Sequence, residues 1–331
     1  MDRSEIKGRK LINLDKKSVL ITGAAGIVGQ AAVRECLRRG MSVRAVIFKS
    51  RTLDLEHENL EIVRVDLENY DNCLEILKDI DVCLHFAAFI KGAKGQSDAA
   101  NFSSLVRKNL TPSINMLSAA VEKNIEAVGF IGSSTMYPDT SDAVTEDQAF
   151  DGQPHVVYRG VGNMKRYCEK VIQYYGDISK VKFGVIRTTA VYGPFDAFNE
   201  NGHVIPQLIM RAAKRPEVFD VWGDGKQIRD FVFVQDVVEG LLHVLAEGKS
   251  CRPYNIATGN DVTVADLAKL VTREFDYFPE LNFDPSKPSM IPIRRVSVKR
   301  ISEELDWAAK TDIETGIRKT CKWFKENIFE D

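Results

Sequence analysis

From residue 18 onward, short apolar runs rich in β-branched residues alternate with longer stretches whose apolar positions recur every three or four residues. The short runs predict strands at 19–22, 42–48, 60–65, 82–86, 127–131 and 182–187. The longer stretches predict helices at 30–39, 70–77, 102–124 and 162–175. Near-continuous apolar strands separated by helices are typical of a parallel sheet covered on both faces. The sequence therefore predicts the α/β class, with a doubly wound parallel sheet.

Three glycines, Gly23, Gly26 and Gly29, join the first predicted strand to the first predicted helix. In such a turn the first glycine permits a tight bend, the second lets a ligand approach the backbone, and the third lets the helix pack on the strand. The N-terminus of the helix then faces a phosphate. We expect this turn, with Ala25, Ile27 and Val28, to bind a dinucleotide in a Rossmann-type sheet; an ordinary strand–helix turn without a ligand is the alternative.

The alternation weakens after about residue 190, where Pro, Gly and aromatic residues punctuate a mixed segment that ends in a predicted helix at 313–327. We expect a dinucleotide-binding domain at 18–189. Residues 190–331 are predicted to form mainly a smaller substrate-binding lobe, interleaved with the first domain. Residues 1–17 are charged and irregular. They are predicted to form an N-terminal arm, either solvated or lying over the first domain.

The residues that follow the second predicted strand bear on the choice of cofactor. A carboxylate at this place would bind the ribose hydroxyls of NAD. The sequence instead has Lys49 and Arg51, and an acid appears only at Asp54. Because two cations could hold a 2′-phosphate, we expect NADP, with NAD as the alternative; both side chains could also be ordinary solvated cations.

Composition narrows the class of protein. The formal net charge is −2, and 44% of the 331 residues are hydrophobic, so no nucleic-acid or membrane partner is expected. No apolar run approaches the length of a membrane span. The six cysteines are scattered without a C-x-x-C pair. We therefore expect free, mostly buried thiols, a cytoplasmic protein and no metal site.

Further motifs follow the other predicted strands. Asp66 and Leu67 follow the third strand, Ala87 and Ala88 the fourth, and Ser133-Ser134-Thr135 the fifth. Lys165 and Glu169 lie on the next predicted helix, Val191-Tyr192-Gly193-Pro194 follows the sixth strand, and Arg229-Asp230-Phe231 falls in the second lobe. In this order, over roughly 18–325, the motifs resemble the extended short-chain dehydrogenase/reductases, the family of nucleotide-sugar epimerases and dehydratases.

The resemblance implies an NAD(P)-dependent enzyme that exchanges a hydride at C4 of a nucleotide-linked hexose. It is strongest for the branch that acts on GDP-linked 4-keto-6-deoxymannose, and it implies a homodimer through a four-helix bundle. Asp66 would meet the adenine, and Leu67, Ala87 and Ala88 would line the cofactor. By resemblance, the catalytic residues would be Ser133, Thr135, Lys165 and His203, with Ser134, His203, Arg229 and Arg294 binding the substrate.

The sequence departs from the family at the catalytic tyrosine, which is expected four residues before Lys165. Val161 stands there and cannot transfer a proton. Tyr158 precedes Lys165 by seven residues, so both could lie on one helical face. Tyr158 could therefore replace the missing tyrosine, or it could be a packed aromatic. Thr135, where the branch has a cysteine, makes epimerisation doubtful, and a non-catalytic dinucleotide-binding protein is the alternative function.

Each polar residue of the implied site also has an ordinary structural interpretation. His203 could cap a loop, and the two serines could satisfy backbone groups at a strand end. Arg229 could pair with Asp230 or Asp236, and Arg294 could be a surface charge.

Overall fold

The computed structural model describes residues 11–49, 51–89, 102–200, 202–287 and 291–329. Its strands, in chain order, are β1 Ser18–Thr22, β2 Ser42–Ile47, β3 Leu60–Arg64, β4 Val82–His85, β5 Ala127–Ser133, β6 Ala143–Val144, β7 Lys182–Thr188, β8 Ala190–Tyr192, β9 Val218–Trp222, β10 Ile228–Arg229, β11 Phe231–Phe233, β12 Pro253–Ile256, β13 Val262–Thr263, β14 Glu280–Asp284 and β15 Ile293–Val296. Its α-helices are α1 Ile27–Arg38, α2 Tyr70–Ile76, α3 Phe102–Glu122, α4 Arg159–Ile178, α5 Val204–Ala213, α6 Val234–Glu247, α7 Val264–Arg273, α8 Lys299–Leu305 and α9 Ile313–Asn327.

Seven parallel strands form the central sheet, in the order β12-β7-β5-β4-β1-β2-β3. The chain winds outward from β1 in one direction through β2 and β3, and then returns to β4 on the other side. Ligands of such sheets bind beyond the carboxyl ends of the strands, where the winding direction changes. The fold therefore places a candidate site beyond β1 and β4, and the prediction of an α/β, doubly wound sheet is confirmed.

Alternating side chains of the central strands pack on opposite faces of the sheet. Val19 and Ile21 lie in the core cluster that includes α1 and α6, whereas Leu20 lies in the cluster that includes α3 and α4. Because helices cover both faces of the central sheet, its strands appear in the sequence as continuous apolar runs. The N-terminal arm was expected at 1–17; residues 1–10 lie outside the described residues, and Ile12 and Leu14 are buried against the first face.

The later part of the chain contributes both to the central sheet and to a separate lobe. Strand β12 joins the edge of the central sheet next to β7, and α6 packs on that sheet. The lobe contains the four-stranded sheet β13-β10-β15-β6, two small two-stranded sheets and a third apolar cluster. The predicted division into two interleaved parts, with a boundary at residue 189, stays a prediction. Helix α4 begins at Arg159, three residues before its predicted start.

All six cysteines are free thiols, five of them buried and Cys251 partly buried, as expected. Within the described ranges, we find no helix with the length and apolar character needed to cross a membrane.

Candidate active site

The glycine turn lies between β1 and the first turn of α1. Gly23 has a φ of +66°, and a Cβ there would lie 2.8 Å from backbone atoms of Phe86 and Ala87. A Cβ on Gly29 would collide with the Gly23 carbonyl oxygen. Both positions therefore require glycine, and the turn lies close to the carboxyl end of β4.

The N-terminus of α1 is arranged to accept an anion. Gly26 is its exposed N-cap, no side chain caps the helix, and no acidic residue lies in its first turn. A Cβ on Gly26 would lie 3.3 Å from the Gly23 carbonyl oxygen, and a larger side chain would cover the N-terminus of α1. Free N–H groups and the helix dipole at such an end favour a phosphate. The turn, including Ala25, Ile27 and Val28, therefore fits the pyrophosphate of a dinucleotide.

A buried histidine holds the end of β4 against this turn. Thr22 Oγ1 accepts the N–H groups of Phe86 and Ala87, both at 3.1 Å, and lies 2.9 Å from Nδ1 of His85. Nε2 of His85 lies 3.2 Å from Ser113 Oγ. Burial lowers the His85 pKa to about 3, with a smaller contribution from the charge of Lys165. His85 is therefore neutral and contacts Thr22, whose hydroxyl holds the backbone of Ala87, whereas Ala88 is exposed.

The loop after β2 carries the two cations expected to select the cofactor. Lys49 has a φ of +48°, and its Nζ lies 4.7 Å from the centre of the Phe48 ring. Arg64, at the end of β3, donates to the backbone carbonyls of both Lys49 and Arg51. Arg64 therefore adds a third cation and organises the loop. Its role was not predicted from the sequence. At the next strand end Asp66 is exposed and accepts the Glu68 N–H at 3.0 Å, whereas Leu67 is buried.

The end of β5 brings two hydroxyls together. Thr135 Oγ1 donates to Ser133 Oγ at 2.9 Å, and the Thr135 N–H donates to the same oxygen at 3.2 Å. With its oxygen accepting two hydrogen bonds, the Ser133 hydroxyl can donate its own proton to a ligand. A Cβ on Gly162 would lie 2.6 Å from the Thr135 carbonyl oxygen, so α4 packs closely on this turn. Ser134 is buried.

Lys165 extends from α4 to the same strand. Its Nζ donates to the Ile131 carbonyl at 2.8 Å and lies 4.9 Å from the centre of the Phe130 ring. Burial lowers the Lys165 pKa, although Cys168 and Glu169 oppose the shift. The structure therefore brings Lys165, Ser133 and Thr135 to one strand end.

Tyr158 lies outside the helix whose periodicity was expected to place it on one face with Lys165. It ends a 3₁₀ turn, Val156–Tyr158, and α4 begins only at the next residue. Burial raises its phenol pKa, and the positive charges of Arg229 and Arg294 oppose the shift. The phenol is thus influenced by two arginines; its catalytic role stays a prediction.

The two arginines are direct neighbours on adjacent parallel strands, with Arg229 of β10 opposite Arg294 of β15. Arg229 donates to the carbonyls of Ile228 at 2.7 Å and Pro292 at 3.1 Å, and also to that of Ile291. Arg294 is 4% exposed and donates through Nη1 to the Pro138 carbonyl at 3.0 Å, but its Nε and Nη2 have no hydrogen-bond partner in the part of the chain that the structure describes. Burial lowers the pKa of both guanidinium groups.

The alternatives for these two arginines are wrong. Arg294 is buried rather than on the surface. Arg229 does not pair with the neighbouring acids, because the Asp230 carboxylate accepts from Thr258 and Gly259, and that of Asp236 accepts from the N–H groups of Lys310 and Thr311.

His203 caps the N-terminus of α5 through its backbone, and its side chain is exposed. Asp196 is 8% exposed, and its Oδ2 atom has no hydrogen-bond partner among the described residues. Burial raises the Asp196 pKa. No described contact joins His203 to Thr135, so their joint role stays a prediction.

These features define a protein with a central, Rossmann-type parallel sheet, a glycine turn between β1 and α1, and two neighbouring arginines in the smaller lobe. Residues 19–257 match the NAD dependent epimerase/dehydratase family, and the chain belongs to it. This match confirms the resemblance to the nucleotide-sugar epimerases and dehydratases.

Three similar proteins illustrate the relationship. GDP-L-colitose synthase of Yersinia pseudotuberculosis is 27% identical over 92% of this chain and 97% of its own. GDP-L-fucose synthase of Escherichia coli K12 is 27% identical over 95% of this chain and 98% of its own. A GDP-L-fucose synthetase from Naegleria fowleri, solved with bound NADP, has a TM-score of 0.82 and 22% identity over 97% of this chain and 96% of its own.

Proposed function

We propose that this protein is an NAD(P)-dependent oxidoreductase or epimerase that exchanges a hydride at C4 of a hexose carried by a nucleoside diphosphate. The cross-strand pair Arg229 and Arg294 carries the proposal. Like charges placed opposite one another destabilise a sheet, and buried guanidinium donors without partners are costly. A diphosphate would satisfy both residues, because guanidinium groups bind phosphate oxygens in a fixed, two-pronged geometry.

The cofactor side supports the same proposal. The glycine cradle fits a pyrophosphate, and Lys49, Arg51 and Arg64 favour NADP over NAD. When bound, the nicotinamide supplies or accepts the hydride. Lys165 would hold the nicotinamide ribose and add positive charge.

On the sugar side, Ser133 would donate its hydroxyl proton in a hydrogen bond to the C4 oxygen, and Thr135 would orient that hydroxyl through the bond at 2.9 Å. Thr135 and His203 would be the base and acid of any epimerisation, although a threonine hydroxyl is a weak base at neutral pH. The names of the relatives support a GDP-linked substrate.

Helix α4 supports a homodimer as the working assembly. Tyr167, Tyr174 and Ile178 are spaced seven and four residues apart on this helix and are 56%, 60% and 58% exposed. Such spacing places them on one face of a helix. Since α4 packs on α3, a second copy could complete a four-helix bundle. We further propose a cytoplasmic location, in keeping with the free thiols.

The test combines GDP-4-keto-6-deoxymannose with NADPH and follows both NADPH oxidation and the sugar product. Arg229→Gln should raise the KM for the sugar nucleotide, and Gly26→Leu should abolish NADPH binding in fluorescence titration. The alternative function, a non-catalytic dinucleotide-binding protein, is favoured by Val161. It predicts that NADPH binds but that no sugar nucleotide is turned over.

A further inference from the structure

We propose that Tyr158 is a substrate-anchoring residue whose phenol donates a hydrogen bond to the diphosphate between Arg229 and Arg294. The inference rests on the proposed function, because it assigns Tyr158 to the site expected to hold the nucleotide sugar. It also gives Tyr158 a role different from that of the catalytic tyrosine, whose position is occupied by Val161.

The local backbone fixes the direction of Tyr158. Nδ1 of His155 accepts the Val157 N–H at 3.2 Å, and the Tyr158 N–H donates to the His155 carbonyl at 2.8 Å. These bonds form the 3₁₀ turn that ends at Tyr158. The periodicity of α4 therefore does not place the phenol beside Lys165.

The surroundings of the phenol are cationic. Arg294 Nη1 donates to the Pro138 carbonyl at 3.0 Å, and Pro138 forms a β-bridge with Pro154, four residues before Tyr158. The charges of Arg229 and Arg294 both act on the phenol. Because Arg294 Nε and Nη2 have no partner among the described residues, the surroundings of the phenol hold more donors than acceptors. Guanidinium groups have no acceptor to offer the phenol proton. A phosphate oxygen would accept from the phenol and from both arginines.

The phenol is suited to donate rather than to ionise. Burial is the largest influence on the Tyr158 pKa and raises it, so the hydroxyl keeps its proton at neutral pH. A hydrogen bond to a charged acceptor is stronger than one between neutral groups. The hydroxyl should therefore contribute to nucleotide affinity and leave the chemical step unchanged.

Calorimetry of GDP and UDP binding tests the inference, with saturating NADPH present so that the cofactor's own pyrophosphate site is filled. Tyr158→Phe should weaken nucleoside diphosphate binding about tenfold or more, with unchanged NADPH affinity and a raised KM at unchanged kcat. Tyr70→Phe, which removes a phenol that donates to Glu122 at 2.7 Å on α3, is the control and should change neither constant.

Two outcomes overturn the inference. Wild-type affinity in Tyr158→Phe would remove the phenol from the anion site. Loss of kcat with unchanged GDP affinity would identify the phenol as the proton donor instead. Failure of the wild type to bind either nucleotide would overturn the proposed function as well, and this is a different result from equal binding by wild type and variant.

Discussion

Glu169 and Arg187 form a doubly hydrogen-bonded, buried ion pair directly behind the strand end that carries Ser133. Nε and Nη2 of Arg187 donate to the two carboxylate oxygens at 3.0 and 2.6 Å, and both residues are at most 3% exposed. A Cβ on Gly132 would lie 2.8 Å from Glu169 Oε1. The pair therefore joins β7 to α4 and requires glycine immediately before Ser133.

Removing one partner of this ion pair should destabilise the fold strongly. Arg187→Met leaves the Glu169 carboxylate buried without its cation, and breaking a buried pair costs about 3–5 kcal/mol. The free energy of unfolding in urea measures the loss. Arg318→Met is the matched control, since its guanidinium side chain is 63% exposed and lies 4.0 Å from Glu274. A loss below about 1 kcal/mol for Arg187→Met, the range of surface pairs, would contradict the prediction.

The sequence predicted the features that depend on local pattern. The six predicted strands and the glycine turn were correct because periodicity and glycine spacing are local signals. Strand β12 was missed because it lies in the mixed segment, far along the chain from β7. The pairing of Glu169 with Arg187 could not be predicted either, because it joins two separate elements, α4 and β7.

The candidate site was predicted only in part, because much of it depends on contacts between distant segments. Arg229 and Arg294 were both named as substrate ligands, but only the pairing of β10 with β15 makes them neighbours. The helical spacing of Tyr158 and Lys165 was misleading, because the sequence did not reveal the 3₁₀ turn before α4. Arg64 was missed because its contacts cross from β3 to the loop after β2.

The cofactor preference should depend on the loop after β2. We expect the wild type to bind NADPH more tightly than NADH, because cations at this strand end can hold a 2′-phosphate. The double change of Lys49 and Arg51 to Gln should reduce NADPH affinity about tenfold or more and leave NADH affinity nearly unchanged. Fluorescence titration with both cofactors measures the preference, and Lys299→Gln, on the distant α8, is the control. Tighter NADH binding by the wild type would show that the cations do not select the cofactor.

The buried histidine should make the fold sensitive to acid. The folded-state pKa of His85 is about 3, well below its ordinary value of 6.5, so the unfolded chain binds a proton that the folded chain does not. From about pH 6.5 down to 3 this group should cost about 1.4 kcal/mol of stability per pH unit. His85→Gln should be less stable at pH 7 but show a shallower loss between pH 6 and 4. Urea unfolding at several pH values measures the slope, with His57→Gln, which alters an exposed histidine, as the control. An unchanged slope in His85→Gln would refute the assignment.

The assembly can be tested on the exposed face of α4. We expect a dimeric mass in light scattering at micromolar concentration, because three large side chains on this face are more than half exposed. Tyr174→Glu should give a monomer, since it would bury a charge in the interface. Phe278→Glu, at an 80% exposed position away from α4, should remain dimeric. A monomeric wild type would disprove the proposed bundle.

Placing a tyrosine at position 161 tests whether the natural chain lacks a proton donor. Val161 lies one helical turn before Lys165, so a phenol there would stand beside the lysine on the same helical face. The valine borders an apolar groove of about 560 Å³ that Leu105, Leu110 and Met164 also line, which offers room for a ring. We expect Val161→Tyr to raise kcat by about a hundredfold, the scale of a general acid, while Val161→Phe supplies the same ring without a hydroxyl and should not. Equal kcat in the two variants would mean that the proton already passes through Ser133, Thr135, His203 or water. Turnover in Val161→Tyr alone, from an inert wild type, would establish the natural chain as a non-catalytic dinucleotide-binding protein.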